Sequence, residues 1–323
     1  MTTCTNALES PSRRMPPWIP TANPMSGRSP EPGCDDDHRT PAGDHLAELL
    51  RPISLEQLNV SASMLIRRDN KYVIREDQLR PAVDALARQF DILEIDGKRD
   101  FTYETCYFDD PVHTSYFDHH RGRRQRCKVR MRQYVDAQLC FAEIKLKGKR
   151  GLTVKQRIAC PMDQYGVLGE SSLVQIRSIY RDLYARDFDQ ALDPVVWMRY
   201  RRMTLVAKQG GERMTIDRCM VFSDASGSHP IDEDMVIVET KSGNANGIAD
   251  KILRSLHQHP TNGASKYCVS MAVLRKISKY NKLLPALRKL NAVPQAHSMT
   301  QPPSLACRSA AAISVSPGCA QHL

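Results

Sequence analysis

Two short stretches hold the densest chemistry in this chain. In Cys127-Lys128-Val129-Arg130-Met131-Arg132-Gln133-Tyr134, period two puts Lys128, Arg130, Arg132 and Tyr134 on one face and Val129 and Met131 on the other. In Cys140-Phe141-Ala142-Glu143-Ile144-Lys145-Leu146-Lys147, it separates Glu143, Lys145 and Lys147 from Ala142, Ile144 and Leu146. Successive strand side chains alternate between faces, so each stretch predicts a strand with one charged and one apolar face. The parity recurs in Lys155 and Arg157, in Tyr200 and Arg202, in Arg213, Thr215 and Asp217, and in Glu239 and Lys241. Lys71 shares a face with Asp69 and Arg67, and Ser265-Lys266-Tyr267 opens a helix whose unpaired N–H groups suit a phosphate. Guanidinium forks and ammonium groups are the side chains that hold phosphate oxygens.

Two arrangements satisfy this pattern. If the faces turn inward together, Lys71, Arg130, Arg132, Lys145, Lys155, Arg202, Arg213 and Lys266 meet in one wet cavity that takes a polyanion. A dry interior is excluded, because an unpaired buried charge costs several kcal/mol as an order of magnitude. If the parity is inverted, the charges face water and Val129, Met131, Ile144 and Leu146 fill an ordinary core. Periodicity alone leaves both open.

The chain of 323 residues is long enough for one large domain with extensions. Its formal net charge of +10 points to an anionic partner. Its ten cysteines are scattered, with no C-x-x-C pair and no zinc spacing, which fits reduced thiols in the cytoplasm. No apolar run approaches the ~20 residues that span a bilayer. Pro11, Pro16, Pro17 and Pro20 interrupt any signal-peptide core.

The elements that must position the charged faces follow from pattern. Residues 1–43 are rich in Pro, Ser, Gly and Asp and read as a disordered extension, and 293–323 as a disordered tail. Between them, 44–292 reads as one domain. Asp44 starts a short helix through Leu46, Leu49 and Leu50, and Leu55, Leu58 and Val60 continue a helical spacing. Strands are predicted at 65–74, 91–96, 101–109, 127–134, 140–147, 153–159, 195–206, 213–222 and 235–240. Asp96-Gly97 signals a hairpin between the second and third of these, and Gly148-Lys149-Arg150-Gly151 a turn, not a P-loop. Helices are predicted at 76–90 with a break or first turn at Pro81, at 111–120, at 163–188, at 248–257 and through 273–290. The fold class is α+β: about eight antiparallel strands, closed or nearly closed into a barrel, with flanking helices.

Taken in order, Asn70-Lys71-Tyr72, Tyr107-Phe108-Asp109, K-x-R-x-R-x-Y at 128–134, F-x-E-x-K at 141–145, K-x-R at 155–157, Y-x-R at 200–202, R-x-T-x-D at 213–217, V-E-T-K at 238–241 and S-K-Y at 265–267 resemble the VTC polyphosphate polymerase domain in a stand-alone bacterial form. That family belongs to the triphosphate tunnel metalloenzymes, with the CYTH proteins. The resemblance covers about residues 45–290 and implies the inward parity, an eight-stranded triphosphate-tunnel barrel. It implies that Lys71, Arg130, Arg132, Lys145 and Arg202 act on the reacting phosphates. Lys155, Arg213 and Lys266 bind substrate, with Tyr134 and Tyr200 beside them either positioning oxygens or packing. Glu239 would hold a divalent metal, Mn or Mg, while Glu143 and Asp217 pair with cations or bind metal. The chain departs from the CYTH pattern E-x-E-x-K, carrying Arg67, Asp69 and Lys71 at the matching positions. That departure fits the polymerase branch better than a two-metal hydrolase.

The function implied is metal-dependent transfer of the γ-phosphate of ATP to a growing polyphosphate chain, with no nucleic-acid partner. The alternatives are a triphosphate hydrolase on the same scaffold and a non-enzymatic polyanion-binding module. His119-His120 reads as a solvated helix end, and Arg123-Arg124-Gln125-Arg126 as a solvated face or a patch at a tunnel mouth. Because the end segments lack apolar periodicity, limited proteolysis is expected to leave a stable fragment of about residues 45–290. Loss of cooperative unfolding on trimming to that fragment would defeat the domain boundaries.

Overall fold

A computed structural model describes residues 42–61, 68–148 and 153–294. The expected extensions lie almost wholly outside these residues, as do Arg67 and positions 149–151 of the expected turn. Helix α1 (Ala42–Leu49) turns Leu46 into the core, and α2 (Leu55–Ser61) turns in Leu58 but leaves Leu55 and Val60 exposed. Between them lies the short strand β1 (Pro52–Ile53). Strand β2 (Arg68–Arg75) leads into the expected amphipathic helix, which Pro81 divides. It runs as α3 (Glu76–Leu79), a 3-10 turn at Arg80–Ala82 and α4 (Val83–Gln89). Proline has no N–H to continue the ladder, so the axis breaks there.

Strands β3 (Phe90–Leu93) and β4 (Phe101–Asp109) flank Asp96 and Gly97, both at positive φ (50° and 74°). The turn forms, but the expected hairpin does not extend beyond an Ile95–Lys98 bridge. Instead β3 pairs with β1 and with β8 (Asp193–Ala207). Helix α5 (Thr114–Arg121) starts on two carboxylates. Asp110 accepts the Thr114 N–H at 2.8 Å, and Asp109 accepts those of Ser115 (2.9 Å) and Tyr116 (3.1 Å). Strands β5 (Arg126–Tyr134), β6 (Leu139–Lys147) and β7 (Thr153–Cys160) then pair antiparallel in sequence. The expected helix at 163–188 is α6 (Glu170–Tyr184).

Strands β9 (Arg213–Asp224), β10 (Gly227–Pro230) and β11 (Met235–Ser242) complete the sheet. Its main path runs β2-β11-β9-β8-β4-β5-β6-β7, eight antiparallel strands, with β1, β3 and β10 attached off the path. The fold is α+β with flanking helices, as expected. Among the described residues the end strands β2 and β7 do not pair, so the strand path is open there. Helix α7 (Ile248–Ser255) follows, and the expected helix through 273–290 is two separate ones, α8 (Lys266–Val273) and α9 (Leu284–Lys289).

Three apolar clusters decide which face looks where. Val129, Met131, Ala142 and Ile144 pack under Ile176, Tyr180 and Tyr184 of α6. Ile74, Val236, Val238, Met203 and Ile216 pack under Leu46, Leu79, Leu86 and Leu253 of α1, α3, α4 and α7. The outer faces of the strands are thus covered by helices, which leaves the charged faces on the inner side. There α8 and α9 cover one part of the inner face, with Tyr267, Val269 and Leu287 against Val73, Met198, Tyr200 and Ile237. The inward parity is therefore the one realised.

A buried carboxylate pins the β2–β11–α7 corner. Asp250, fully buried, accepts hydrogen bonds from Tyr72 Oη (2.6 Å), Thr240 Oγ1 (2.6 Å), Asn70 Nδ2 (2.9 Å) and the Gly247 N–H (3.0 Å). A buried donor left unpaired costs roughly 1–3 kcal/mol. Asp250→Ala orphans several at once and is expected to lower the unfolding free energy by about 3–5 kcal/mol, read from urea denaturation. A loss below about 1 kcal/mol would show that water replaces the carboxylate.

Candidate active site

The inner face carries its cations in register. Lys128 on β5, Lys145 on β6 and Lys155 on β7 are direct cross-strand partners. Like charges placed directly opposite destabilise a sheet, so three lysines abreast are a cost unless an anion lies over them. The next row runs Tyr107 (β4), Arg130 (β5), Glu143 (β6) and Arg157 (β7), and the next Thr105, Arg132 and Phe141. Across the other half of the sheet, Lys71 pairs with Glu239, and Asp69, Lys241 and Arg213 form a row. The two halves face each other. Lys145 is lowered by burial and by Lys71 and Lys128, against the pull of Asp69 and Glu239 from the opposite end of the strand path.

Three carboxylates hold this array together. Glu143, 1 % exposed, accepts Arg130 Nε at 2.7 Å, Lys155 Nζ at 2.7 Å and Arg157 Nε at 2.8 Å. Asp217, fully buried, takes the Arg202 fork at 2.5 and 2.8 Å and also Lys266 Nζ. Glu239 pairs with Lys241 at 2.9 Å and Lys71 at 3.1 Å. Burial alone would raise all three carboxyls. The neighbouring cations outweigh it and hold each below the ordinary carboxylate range, Arg130 leading for Glu143, Arg202 for Asp217 and Lys241 for Glu239.

Other groups are less fully matched. Arg132, 6 % exposed, donates to Tyr200 Oη (2.9 Å) and Thr105 Oγ1 (3.3 Å), with no carboxylate at ion-pair distance among the described residues. Lys128 donates to Ser265 Oγ at 3.0 Å and lies 5.4 Å from the Tyr267 ring centre. Lys155 is pushed down to about 7, by burial first and then by Arg130 and Arg157, against the pull of Glu143. Burial would raise the Tyr107 phenol, but Arg130, Arg132 and Lys128 outweigh it and lower it. Arg130 Nη1 donates to that phenol oxygen at 3.0 Å.

Every site residue named from sequence lies on this face, with two qualifications. Arg213 sits at its rim and reaches Leu58 O (3.4 Å) and Asn59 Oδ1 (3.5 Å) of α2. The tyrosines both pack and bond: Tyr200 stacks on Tyr103 at 5.6 Å, and Tyr134 Oη accepts Arg157 at 2.9 Å. Lys128, Arg157, Lys241 and Tyr107 belong with the named set, and the same period-two parity marks them. The expectation of a solvated His119-His120 end is not met. His120, 4 % exposed, stacks on Tyr116 at 5.8 Å. His119 feels Lys128 most, then burial and Arg126, which push it down to about 2. No sequence signal marked it, because its helix only meets this face in three dimensions.

For a divalent metal the fit is partial. Among the described residues no three His, Cys, Asp or Glu side chains are grouped to hold an ion. Asp69 and Glu239 lie diagonally on neighbouring strands of the same face. Hard cations such as Mg are bound through one or two carboxylates with substrate phosphates and water completing the shell. Asp69 and Glu239 are the carboxylates of this corner that could hold an ion in that mode, and Glu239 is here engaged by Lys71 and Lys241.

A family profile described as "VTC domain" matches residues 66–275. No curated protein matches the chain. Among solved structures, a candidate adenylate cyclase from Bacillus halodurans has 13% identity and a TM-score of 0.42, covering 66% of this chain and 98% of its own. The candidate adenylyl cyclase HpAC1 from Hippeastrum, with a dominant triphosphatase activity, has 14% identity and a TM-score of 0.39 over 66% and 98%. The PH1819 protein from Pyrococcus horikoshii has 12% identity and a TM-score of 0.35 over 65% and 100%. Likeness at this level carries no functional weight.

Lys155 gives the face a pH dependence. Its folded value of about 7 lies below the unfolded lysine value of about 10.4. Between these values the unfolded chain binds more protons, so the free protein gains stability as pH rises through that window. Anion binding runs the other way, since the ammonium that attracts phosphate is lost above about pH 7. Calorimetry with tripolyphosphate is expected to show affinity falling several-fold between pH 6.5 and 8.5. Lys155→Arg is expected to flatten that fall, and an equal fall in both proteins would remove Lys155 as its source.

Proposed function

The chain belongs to the VTC domain family, and from that premise we propose that it is a phosphoryl-transfer enzyme acting on triphosphates, specifically an ATP-dependent polyphosphate polymerase. ATP lays its triphosphate along the Lys128–Lys145–Lys155 row, with Arg130 and Arg132 on the reacting phosphate. Lys71, Arg202 and Lys266 supply charge from the other half of the face, and Arg213 from its rim. A terminal oxygen of phosphate or polyphosphate attacks the γ-phosphorus. One O–P bond forms, the bond to the β-phosphate oxygen breaks, and ADP leaves. Catalysis is positioning and charge stabilisation by preorganised donors. Mn or Mg, when bound by Glu239 and the substrate oxygens, would supply further neutralisation of developing charge.

The observation that carries polymerisation over hydrolysis is the state of the carboxylates. Activating water that is not bound to a metal, with a pKa near 15.7, needs a proton acceptor. Glu143, Asp217 and Glu239 are each clamped by cations and held below the ordinary carboxylate range, which makes them poor acceptors. A phosphate terminus, with a second pKa of about 6, arrives already ionised and needs none. The cations that suppress a base are the same ones that attract an anionic acceptor.

No helix among the described residues is long and apolar enough to cross a membrane, and the proposal requires only ATP and polyphosphate as partners. Incubation with ATP and Mn, followed by gel staining for long polyphosphate, is expected to show polymer and matching ADP. Free phosphate without polymer would overturn the polymerase in favour of a hydrolase, and neither product would leave a binding module. Arg132→Ala is expected to reduce turnover roughly a hundredfold, as loss of one transition-state donor does, with melting temperature unchanged or raised. Wild-type turnover in Arg132→Ala would remove that side chain from the reaction.

A further inference from the structure

Helix α5 borders two different places. His119 is turned toward the inner cation face, where Lys128 and Lys145 act on it. Phe117 and Arg121, one turn apart on another side of the helix, border a groove of about 1030 Å³ that reaches across to the end of α6. Its aromatic wall is Phe117, Tyr180 and Phe188, with Tyr180 and Phe188 edge to face at 4.8 Å. Two guanidinium groups already lie on aromatic faces: Arg121 is 5.3 Å from the Phe117 ring centre, and Arg186 is 5.5 Å from that of Tyr180. Planar cations beside aromatic rings form a stack that a flat heteroaromatic ring can join.

The polar groups are distributed to match. Arg123 is held by Asp118 at 2.8 Å, and Asp187 by Arg181 at 2.7 Å, so these charges are internally paired. Arg124 lines the groove, exposed and without a partner among the described residues, and Arg121 and Arg186 lie close by. Asp189 lines it too, a carboxylate suited to ribose hydroxyls and repellent to a bare polyphosphate. Gln190, also in the lining, has a buried Oε1 with no hydrogen-bond partner, an acceptor a base amine could satisfy once its amide turns outward.

We propose that this groove is a second nucleotide site, separate from the inner face, that takes a nucleoside diphosphate. The base lies on the Phe117–Tyr180 wall, the ribose reaches Asp189, and the diphosphate meets Arg121, Arg124 and Arg186. The proposal does not depend on which reaction the inner face performs.

The test is calorimetric titration of the full chain with ADP, with tripolyphosphate in excess to occupy the inner face. Tripolyphosphate alone is titrated first, and that result reports on the inner face independently. Wild type is expected to bind one ADP under these conditions. Arg124→Ala with Arg186→Ala is expected to weaken ADP at least tenfold while leaving the main tripolyphosphate event unchanged. Absence of ADP binding in the presence of tripolyphosphate would overturn the proposal. So would ADP binding that persists in the double variant. Equal competition by tripolyphosphate at the groove, lost in that variant, would reduce the site to a bare anion patch and also overturn it.

Discussion

Lysines and arginines crowd the inner face of this sheet, and their mutual repulsion is the constraint to which the surrounding structure answers. Each of three carboxylates is shared among two or more cations, so Glu143 joins β5, β6 and β7 while Asp217 joins β8 to α8. A buried ion pair roughly breaks even against desolvation, and removing one partner is strongly destabilising. Sharing one acid among several bases lowers the desolvated negative charge needed to hold each cation. It also leaves net positive charge fixed in place before any ligand arrives. The Lys128–Lys145–Lys155 row has no acid of its own in register; Glu143 reaches Lys155 from the neighbouring row, and a bound anion would relieve the repulsion that remains.

The helices matter to the site because they decide which face of each strand is inner. Val129 and Met131 have the same period as Arg130 and Arg132, so periodicity specifies two faces and not their orientation. What fixes it is α6, whose Ile176, Tyr180 and Tyr184 cover the apolar side. Asp109 then ties the floor to the wall, accepting backbone N–H groups at the start of α5 and the Tyr267 hydroxyl of α8. The two helices that border the inner face are thereby referred to one carboxylate at the end of β4.

Sequence made the strands and their parity legible because alternation is a local property. Lys71, Arg130, Arg132, Lys145, Lys155, Arg202 and Glu239 were all readable that way, Lys266 from the helix start at Ser265-Lys266-Tyr267, and the order of their motifs indicated the family. Non-local pairing was not readable. Asp96-Gly97 is a sound hairpin signal, yet β3 finds β8 because Asp91 and Ile92 register with Val206 and Leu205, more than a hundred residues away. The break between α8 and α9 had no strong apolar gap to announce it. His119 looked like a helix end in water because nothing in a local window shows the lysines that surround it. Metal ligation by Glu239 rested on family likeness, and the side chain is engaged by Lys71 and Lys241 in the structure.

Among the described residues the strand path ends at β2 and β7 without joining them. A complete ring can take up a linear polymer only by threading a terminus, so its encounter rate scales with the number of ends in solution. Under the function proposed above, a seam between these strands would admit a polymer sideways, anywhere along its length. For a chain of many repeating phosphates, interior units would then count as points of entry, and capture would grow with total length rather than with the count of molecules.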